Sequence, residues 1–563
     1  MLAHRWLVGL LLMLPAARQE DRPLRVAWTP PTTLDPARGA TLADARVQAA
    51  LFEGLVTFGS DHHTPEAGMA ERWDRSEDGL TWTFRLRESK WSDDEPVTAG
   101  DFVFAWRRLL DPATGAAYPD ALRNLRHVGA YADSIRAQLL ADDLAASASF
   151  EGRDDDFRFL VRAGRKNLVP RLERLLARAA GWAKQKLEEA LVLAKTRNEI
   201  HPKDLGFEAV DSRTLRLSLE RPAPWLLDSL GFMALFPVPE KRVRALGARW
   251  ADPRIVVTNG PYRIEKSEER SMTLARVRGN GPERVVLEWL PPDEALKRFR
   301  NREVDWLDGE SIPPKELMKV AQEKEFHYFD LWGTWFLRLN ASREPFRKRE
   351  VRRALAHATD RTPLVELVRC NSWSSMVPPG FSGYVGAEGP RFSRASAMEW
   401  LLKGYVDVTA IPKIEFLVPE GSRAVAERLQ EQWEKILGIE VRILGMRGPA
   451  YARALAKGAY DVALAAWVGE AFDPSSFLEP WTREPGVWRN EDFEKLVAAA
   501  QTEKDEKRRL EFLSRAERLL IAEECAAIPL WVMGSFHLIS ARVKGVVPNA
   551  FGRVLLRHVA MAR

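Results

Sequence analysis

The chain has 563 residues, 46% of them hydrophobic and 29% charged, with two cysteines. That length implies about two to four domains with sizeable cores, and apolar content spread along the whole chain excludes general disorder. Two cysteines exclude a disulfide framework and multi-cysteine metal modules, while a formal charge of +5 over this length is too faint a field to recruit nucleic acid. At the N-terminus, basic His4 and Arg5 precede an apolar run Trp6–Leu14 and then Pro15-Ala16-Ala17. This is the n-, h- and c-region order of a secretory signal peptide over residues 1–17, with a short core helix as the alternative. The run is too short to span a bilayer, which takes about 20 residues. No cysteine follows it, so a lipid anchor is not expected. The mature chain is expected to be periplasmic or secreted, with no membrane anchor of its own.

Leu24–Trp28 alternates as a short strand stopped by Pro30-Pro31, and Ala43–Phe52 reads as a helix with Val47, Leu51 and Phe52 on one face. Thr81–Leu86 and Thr214–Leu219 alternate strictly, as half-buried strands do. Thr98 is placed as an N-cap that closes a capping box with Asp101, heading a helix with Phe102, Phe104, Ala105 and Trp106. Further helices are predicted at Lys348–Thr359, Arg423–Leu437 and Asp505–Glu524. Strands and helices alternate without an internal repeat, which gives an α/β class with some α+β character. Between Phe150 and Ile200 the chain turns charge-rich and helical: Leu172, Leu175, Leu176 and Ala179 share one face, and Leu187, Ala190, Leu191 and Ala194 another. A helical hairpin packing one face on its domain accounts for this; a basic partner surface that includes Lys166, Arg171 and Arg174 is the alternative. Cys370 and Cys525 either pair in an oxidising compartment or remain free thiols.

The catalytic signatures are missing. There is no Gly-x-Ser-x-Gly elbow, His-Glu-x-x-His, phosphate-cradling glycine loop or Cys-x-x-Cys. His62-His63 is an adjacent histidine pair with thin support from Asp61, so no metal or cofactor is expected. The chain is not read as an enzyme, although the two carboxylates of a glycosidase need no local motif. The 20 tryptophans suit stacking on peptide, sugar or planar ligands and fill cores equally well.

More specific are several blocks in a fixed order. They are TLDPARGATLADARVQAALFEGL (33–55), LTWTFRLRESKWSDDEPVTAGDFVFAWRRLLDPATG (80–115), VTNGPY (257–262), FRKREVRRALAHATDR (346–361), YDVALAAWVGEAFDPSSFL (460–478) and IPLW (528–531). Together they resemble the extracytoplasmic solute-binding proteins of peptide ABC importers, the oligopeptide- and dipeptide-binding class of bacterial family 5. The resemblance implies a two-lobed periplasmic-binding-protein fold of type II, in its large form with an extra subdomain, and a ligand cleft between the lobes. Residues 22–50, 206–280 and 530–563 would form the first lobe. Residues 51–205 would form the extra subdomain, with the helical insertion at about 140–200, and residues 281–529 the second lobe. The implied partners are a peptide and an ABC permease with cytoplasmic ATPases, and the protein is expected to be monomeric.

The resemblance also implies site residues. In the family an aspartate shortly after the tryptophan of the Tyr-Asp-Val block meets the peptide ammonium. Here Trp467 is present and Glu470 stands at that position, the same charge one methylene longer. Asp473, before Pro474, reads as a helix cap. The segment that pairs with the peptide backbone maps onto Ala40, Thr41 and Leu42. Phe104 matches an aromatic beside the ligand, with a core role as the alternative. Cationic positions that meet the peptide carboxylate in relatives fall here on Leu455, Ala456 and Leu464, with Arg447 and Arg453 nearby in sequence. Other readings of the same fold are an orphan receptor or sensor, and a binder of oligosaccharide, metal chelate or haem.

Overall fold

The computed structural model describes residues 22–59, 64–133, 168–177, 188, 191, 202–223, 225–368, 370–407, 410–456, 458–469, 473–483, 487–503, 505–547 and 554–562. The expected signal peptide, His62-His63, Glu470 and most of the helical insertion lie outside the described residues.

In chain order the strands that frame the site are β1 (Leu24–Ala27), β2 (Ala70–Arg75), β3 (Thr81–Leu86), β4 (Phe207–Asp211), β5 (Thr214–Ser218), β6 (Tyr262–Glu268), β7 (Ser271–Arg276), β8 (Arg284–Glu288), β9 (Trp306–Asp308), β10 (Phe326–Leu339), β11 (Ile414–Pro419), β12 (Val441–Met446), β13 (Val462–Val468) and β14 (Ala527–Ile539). Ten of them form one mixed sheet in the order β12-β11-β13-β10-β14-β9-β1-β8-β7-β6. The other four, β2-β3-β5-β4, form a separate antiparallel sheet, in which strictly alternating Thr81–Leu86 pairs with Thr214–Ser218. The helices used below are α1 (Leu42–Leu51), α2 (Ala99–Leu110), α3 (Leu168–Leu176), α4 (Leu226–Leu230), α5 (Glu240–Leu246), α6 (Arg349–Ala358), α7 (Arg423–Leu437), α8 (Ser475–Leu478) and α9 (Glu506–Arg518). Of the insertion, α3 is described, and the second helix read there lies outside the described residues.

Local chemistry explains the element ends. The Thr98 N–H donates to Asp101 Oδ2 at 2.8 Å, closing the expected capping box at the head of α2. The Asp505 carboxylate accepts from the Arg508 N–H at 2.8 Å and starts α9, which runs on into a π-helical turn over Leu519–Glu523. Both cysteines are free thiols, and burial pushes Cys525 up to about 12, so it stays protonated.

The two longest strands, β10 with 14 residues and β14 with 13, pair antiparallel at the centre of the sheet. On one side of this pair, β1 and β6–β9 share a core with α1 and α2 that includes Trp28, Trp106, Trp250 and Trp306. On the other side, β11–β13 are covered on both faces. Leu337, Leu339, Phe416 and Leu464 meet α6 and α7, while Phe336 and Ala465 meet α9. Alternation along one strand thus feeds two cores. The ladder shifts register twice: Asp330 pairs with Gly534 and Thr334 with Val532, leaving Leu331, Trp332 and Gly333 opposite Met533 alone, and Trp335 pairs with Trp531 but Phe336 with Pro529. Such a bulge bends a strand pair and weakens pairing locally.

Next to this break lies His537, fully buried. Its Nδ1 accepts from Trp306 Nε1 at 3.2 Å and its Nε2 lies 3.2 Å from Ser535 Oγ. Burial, with Arg46 and His327 adding to it, holds its pKa well below the usual 6.5. The unfolded chain therefore takes up a proton near pH 6.5 that the native state refuses. This contribution to stability is complete above that pH and declines below it, by up to about 1.4 kcal/mol per pH unit. Urea midpoints measured from pH 7.5 to 5 should fall with acidification, and His537→Gln should flatten that fall relative to the parent. An unchanged slope would show that His537 titrates normally.

Candidate functional site

The site is built where the sheet ends meet the turns that follow them. After β1 the chain loops to α1, and this loop is gathered by one carboxylate. Asp44 accepts from the N–H groups of Thr32 (2.6 Å), Thr33 (3.1 Å), Ala40 (3.1 Å) and Thr41 (3.0 Å), and from the Thr32 and Thr41 hydroxyls at 3.0 and 2.8 Å. Burial pushes its pKa up, but the hydrogen bonds from Thr41, Ala40 and Thr33 outweigh burial, so it titrates below the usual carboxylate range. Two residues further on, Arg46 pairs with Asp308 at 3.0 Å, both buried, and ties α1 to the end of β9.

Ala40, Thr41 and Leu42 therefore occupy the N-terminus of α1, with Thr41 as its N-cap. The Ala40 and Thr41 N–H groups are engaged by Asp44, and the Thr41 carbonyl accepts from Ala45 N. The Ala40 carbonyl lies 3.5 Å from the Tyr118 hydroxyl. This geometry leaves little of a free strand edge. Phe104 is half-buried on α2, with the Arg244 guanidinium of α5 4.9 Å from its ring centre. Its described contacts stay on its own side of the strand pair.

On the far side, Trp467 is the penultimate residue of β13. Its Nε1 donates to the Ser476 carbonyl at 2.8 Å, and the Gly469 N–H donates to the Trp332 carbonyl at 3.0 Å. A side-chain carbon at Gly469 would come within 2.8 Å of Phe477 and Ser476, so a larger residue there requires those side chains to shift. Asp473 accepts from the Ser475 N–H at 2.8 Å, consistent with its reading as a cap. It also forms a buried bidentate pair with Arg509 of α9, at 2.6 and 3.1 Å. Both flanks of residues 470–472, which lie outside the described residues, are thus fixed. The wall beside these flanks is set by Glu517, also on α9, which accepts from Ser375 Oγ, Val377 N, Tyr384 Oη and Ala387 N at 2.6–2.8 Å. That loop lays Phe381 against Trp332, 5.1 Å between ring centres. Leu464 is fully buried and Arg447 and Arg453 are exposed, so this region presents no buried cation at those positions.

The two sides meet through residues that sequence reasoning missed. Arg221 reaches Glu479 at 3.3 Å, and the Arg509 guanidinium lies 4.9 Å from the Trp225 ring centre. Asp228 of α4 lies close enough to Asp473 to feel its charge. One signal was available. Arg509 and Glu517 fall on the same helical stripe as Leu513, Ala516 and Leu520, where a surface helix carries only apolar residues. Among the described residues no cluster of His, Cys, Asp and Glu suits a metal ion, and no helix is long and apolar enough to cross a membrane.

Two lobes, joined by a shared strand pair and carrying loops that face each other, define the architecture of a solute-binding protein. The chain matches the family of bacterial extracellular solute-binding proteins, family 5 middle, over residues 64–488, and it belongs to that family. The dipeptide-binding protein DppE of Bacillus subtilis is 26% identical over 552 residues, covering 94% of this chain and 89% of DppE. The periplasmic murein peptide-binding protein MppA of Escherichia coli is 26% identical, covering 92% and 89%. The probable deoxycholate-binding periplasmic protein YgiS of the same organism is also 26% identical, covering 92% and 88%. The structure of Haemophilus influenzae OppA in complex with RPPGFSPFR shares the fold, with a TM-score of 0.71 at 22% identity, covering 96% of this chain and 100% of that one.

Asp228 supplies a test of the seam. Burial and the nearby Asp473 charge raise its pKa to about 7. Between about pH 4 and 7 the native state keeps a proton that the unfolded chain has lost, so this group's contribution to stability is lost as pH rises through that window. Asp228→Asn, neutral throughout, should gain in urea midpoint over the parent progressively from pH 5 to pH 8. A difference independent of pH would place Asp228 in ordinary solvent.

Proposed function

We propose that the protein captures peptides outside the cytoplasmic membrane by closing its lobes over them, and delivers them to an ABC permease driven by cytoplasmic ATPases. It acts by binding and carries out no catalysis. The observation that carries this reading is relationship along nearly the whole chain to proteins named for dipeptide, oligopeptide and murein-peptide binding. In this reading Glu470 receives the peptide ammonium, between flanking residues Trp467, Gly469 and Asp473 whose hydrogen bonds are described. The Ala40 carbonyl, rather than a strand edge over Ala40–Leu42, meets the peptide backbone, and Phe104 belongs to the core of its lobe. The bulged strand pair supports placing the lobe crossings at 331–333 and at 533, in place of 280 and 529, and β4 and β5 extend the extra subdomain to residue 218.

A non-peptide ligand is the second reading. It is favoured by the leucines at the expected carboxylate anchors and by the relative named for deoxycholate. Native mass spectrometry of gently purified protein separates the two. A distribution of short-peptide masses is expected, and Glu470→Ala should deplete it by about tenfold or more, the loss expected when a charged hydrogen-bond partner is removed. A single non-peptide mass would overturn the peptide assignment and leave the family standing.

A further inference from the structure

Two contacts between the lobes are made directly by protein groups on both sides. Arg221 is positioned by its own lobe, where Nη2 donates to Asn124 Oδ1 at 3.2 Å, and the same nitrogen reaches Glu479 Oε1 across the seam at 3.3 Å. Glu479 is only 8% exposed, so this charged contact works in a partly dried environment where it is screened less than a surface pair. The second contact is assembled the other way round. Trp225, 7% exposed, belongs to the core of the first lobe, and the guanidinium near its ring comes from the second. Arg509 is held by both Asp473 and Glu506, the latter through bonds of 2.9 and 2.8 Å, so the cation is oriented before it meets the ring. Both contacts link segments far apart in sequence that share no strand, and both lie off the β10–β14 pair about which the lobes would move.

We propose that Arg221 and Trp225 of the first lobe, with Glu479 and Arg509 of the second, form a latch that draws the lobes together through protein contacts alone. A ligand then binds into a cleft already biased toward closure, so less of its binding free energy is consumed in moving the lobes. The latch also sets the release step, because the seam must part before the ligand can leave. The inference rests on the two-lobed fold and is independent of the ligand's chemistry.

The test uses full-length mature protein, stripped of ligand by unfolding in guanidinium and refolding, with spin labels on cysteines introduced at exposed Glu88 and Val406. Pulsed electron resonance then reads the distance between lobes with no peptide present. The parent should show a dominant short distance, and Arg221→Ala should lower the ratio of short to long distances by about tenfold, as loss of one charged hydrogen bond predicts. Swapping the charges, Arg221→Glu with Glu479→Arg, should restore the short distance, which separates a latch from general damage to folding. The proposal is overturned if the parent is open, if parent and Arg221→Ala distributions coincide, or if the swapped protein folds and stays as open as Arg221→Ala. Because no peptide enters the measurement, each of these outcomes leaves the peptide reading untouched, and a non-peptide mass in the native spectrum leaves the latch untouched.

Discussion

The antiparallel pair of β10 and β14 is the constraint on which the rest of the molecule depends. At about 3.3 Å per residue, strands of 13 and 14 residues extend for about 45 Å, enough to run through both lobes. Because side chains alternate along β10, Phe336 and Leu337 enter different cores one residue apart, so a single slip in register would turn both cores inside out. The pair also fixes how the lobes can differ in position. The larger of its two register shifts is the bulge at Leu331–Gly333, where pairing is locally weakened. Gly333 sits inside it, where an added carbon would come within 2.5 Å of Met533 Sδ and require that side chain to move. A bend confined to this point would leave each core intact.

Loops at the ends of such a sheet carry backbone N–H groups that have no strand partner. This chain satisfies them repeatedly with a carboxylate that collects several donors. Asp44 gathers the turn before α1, Asp308 takes Thr29 and Ser311 while pairing with Arg46, and Glu517 holds the 375–387 loop. A carboxylate with several backbone donors satisfies its own buried charge and makes the loop rigid at the same time. The consequence for recognition is direct. Backbone groups already bonded to these hubs are not free to pair with anything else.

Much of the fold was legible in the sequence. Periodicity located β1, β3, β5, α1, α6, α7 and α9 close to their observed ends, and the Thr98–Asp101 cap could be read from spacing alone. The ordered blocks carried the family. Less legible was what each residue of a block does. Asp44 reads locally as an acid in the first turn of a helix, and nothing in the sequence reveals that it also draws in Thr32 and Thr33 and occupies the donors of Ala40 and Thr41. The seam was illegible for a different reason. Arg221 and Glu479 are 258 residues apart, and each looks ordinary among its neighbours, so only the folded chain brings them together. The shared strands were hidden similarly: the segment 326–339 is an aromatic, apolar run in sequence, and its membership of two cores is a property of the sheet.

The buried charges of α9 show why a core helix keeps groups that a hydrophobic residue could replace. Arg509 and Glu517 lie two turns apart on one stripe, and each holds a different loop of the second lobe, Arg509 the Asp473 turn and Glu517 the segment from Ser375 to Ala387. Burying either charge costs free energy that its partners only offset, and apolar side chains in their place would serve the stability of the helix as well or better. They would not specify where the loops go. Apolar contacts are non-directional, whereas a bidentate guanidinium–carboxylate pair and a carboxylate with four donors each accept essentially one geometry. One rigid helix therefore sets the relative position of both walls beside Trp467, and Arg509 carries that position across the seam to Trp225. Loop definition on the second lobe and contact with the first are thus consequences of the same buried cation.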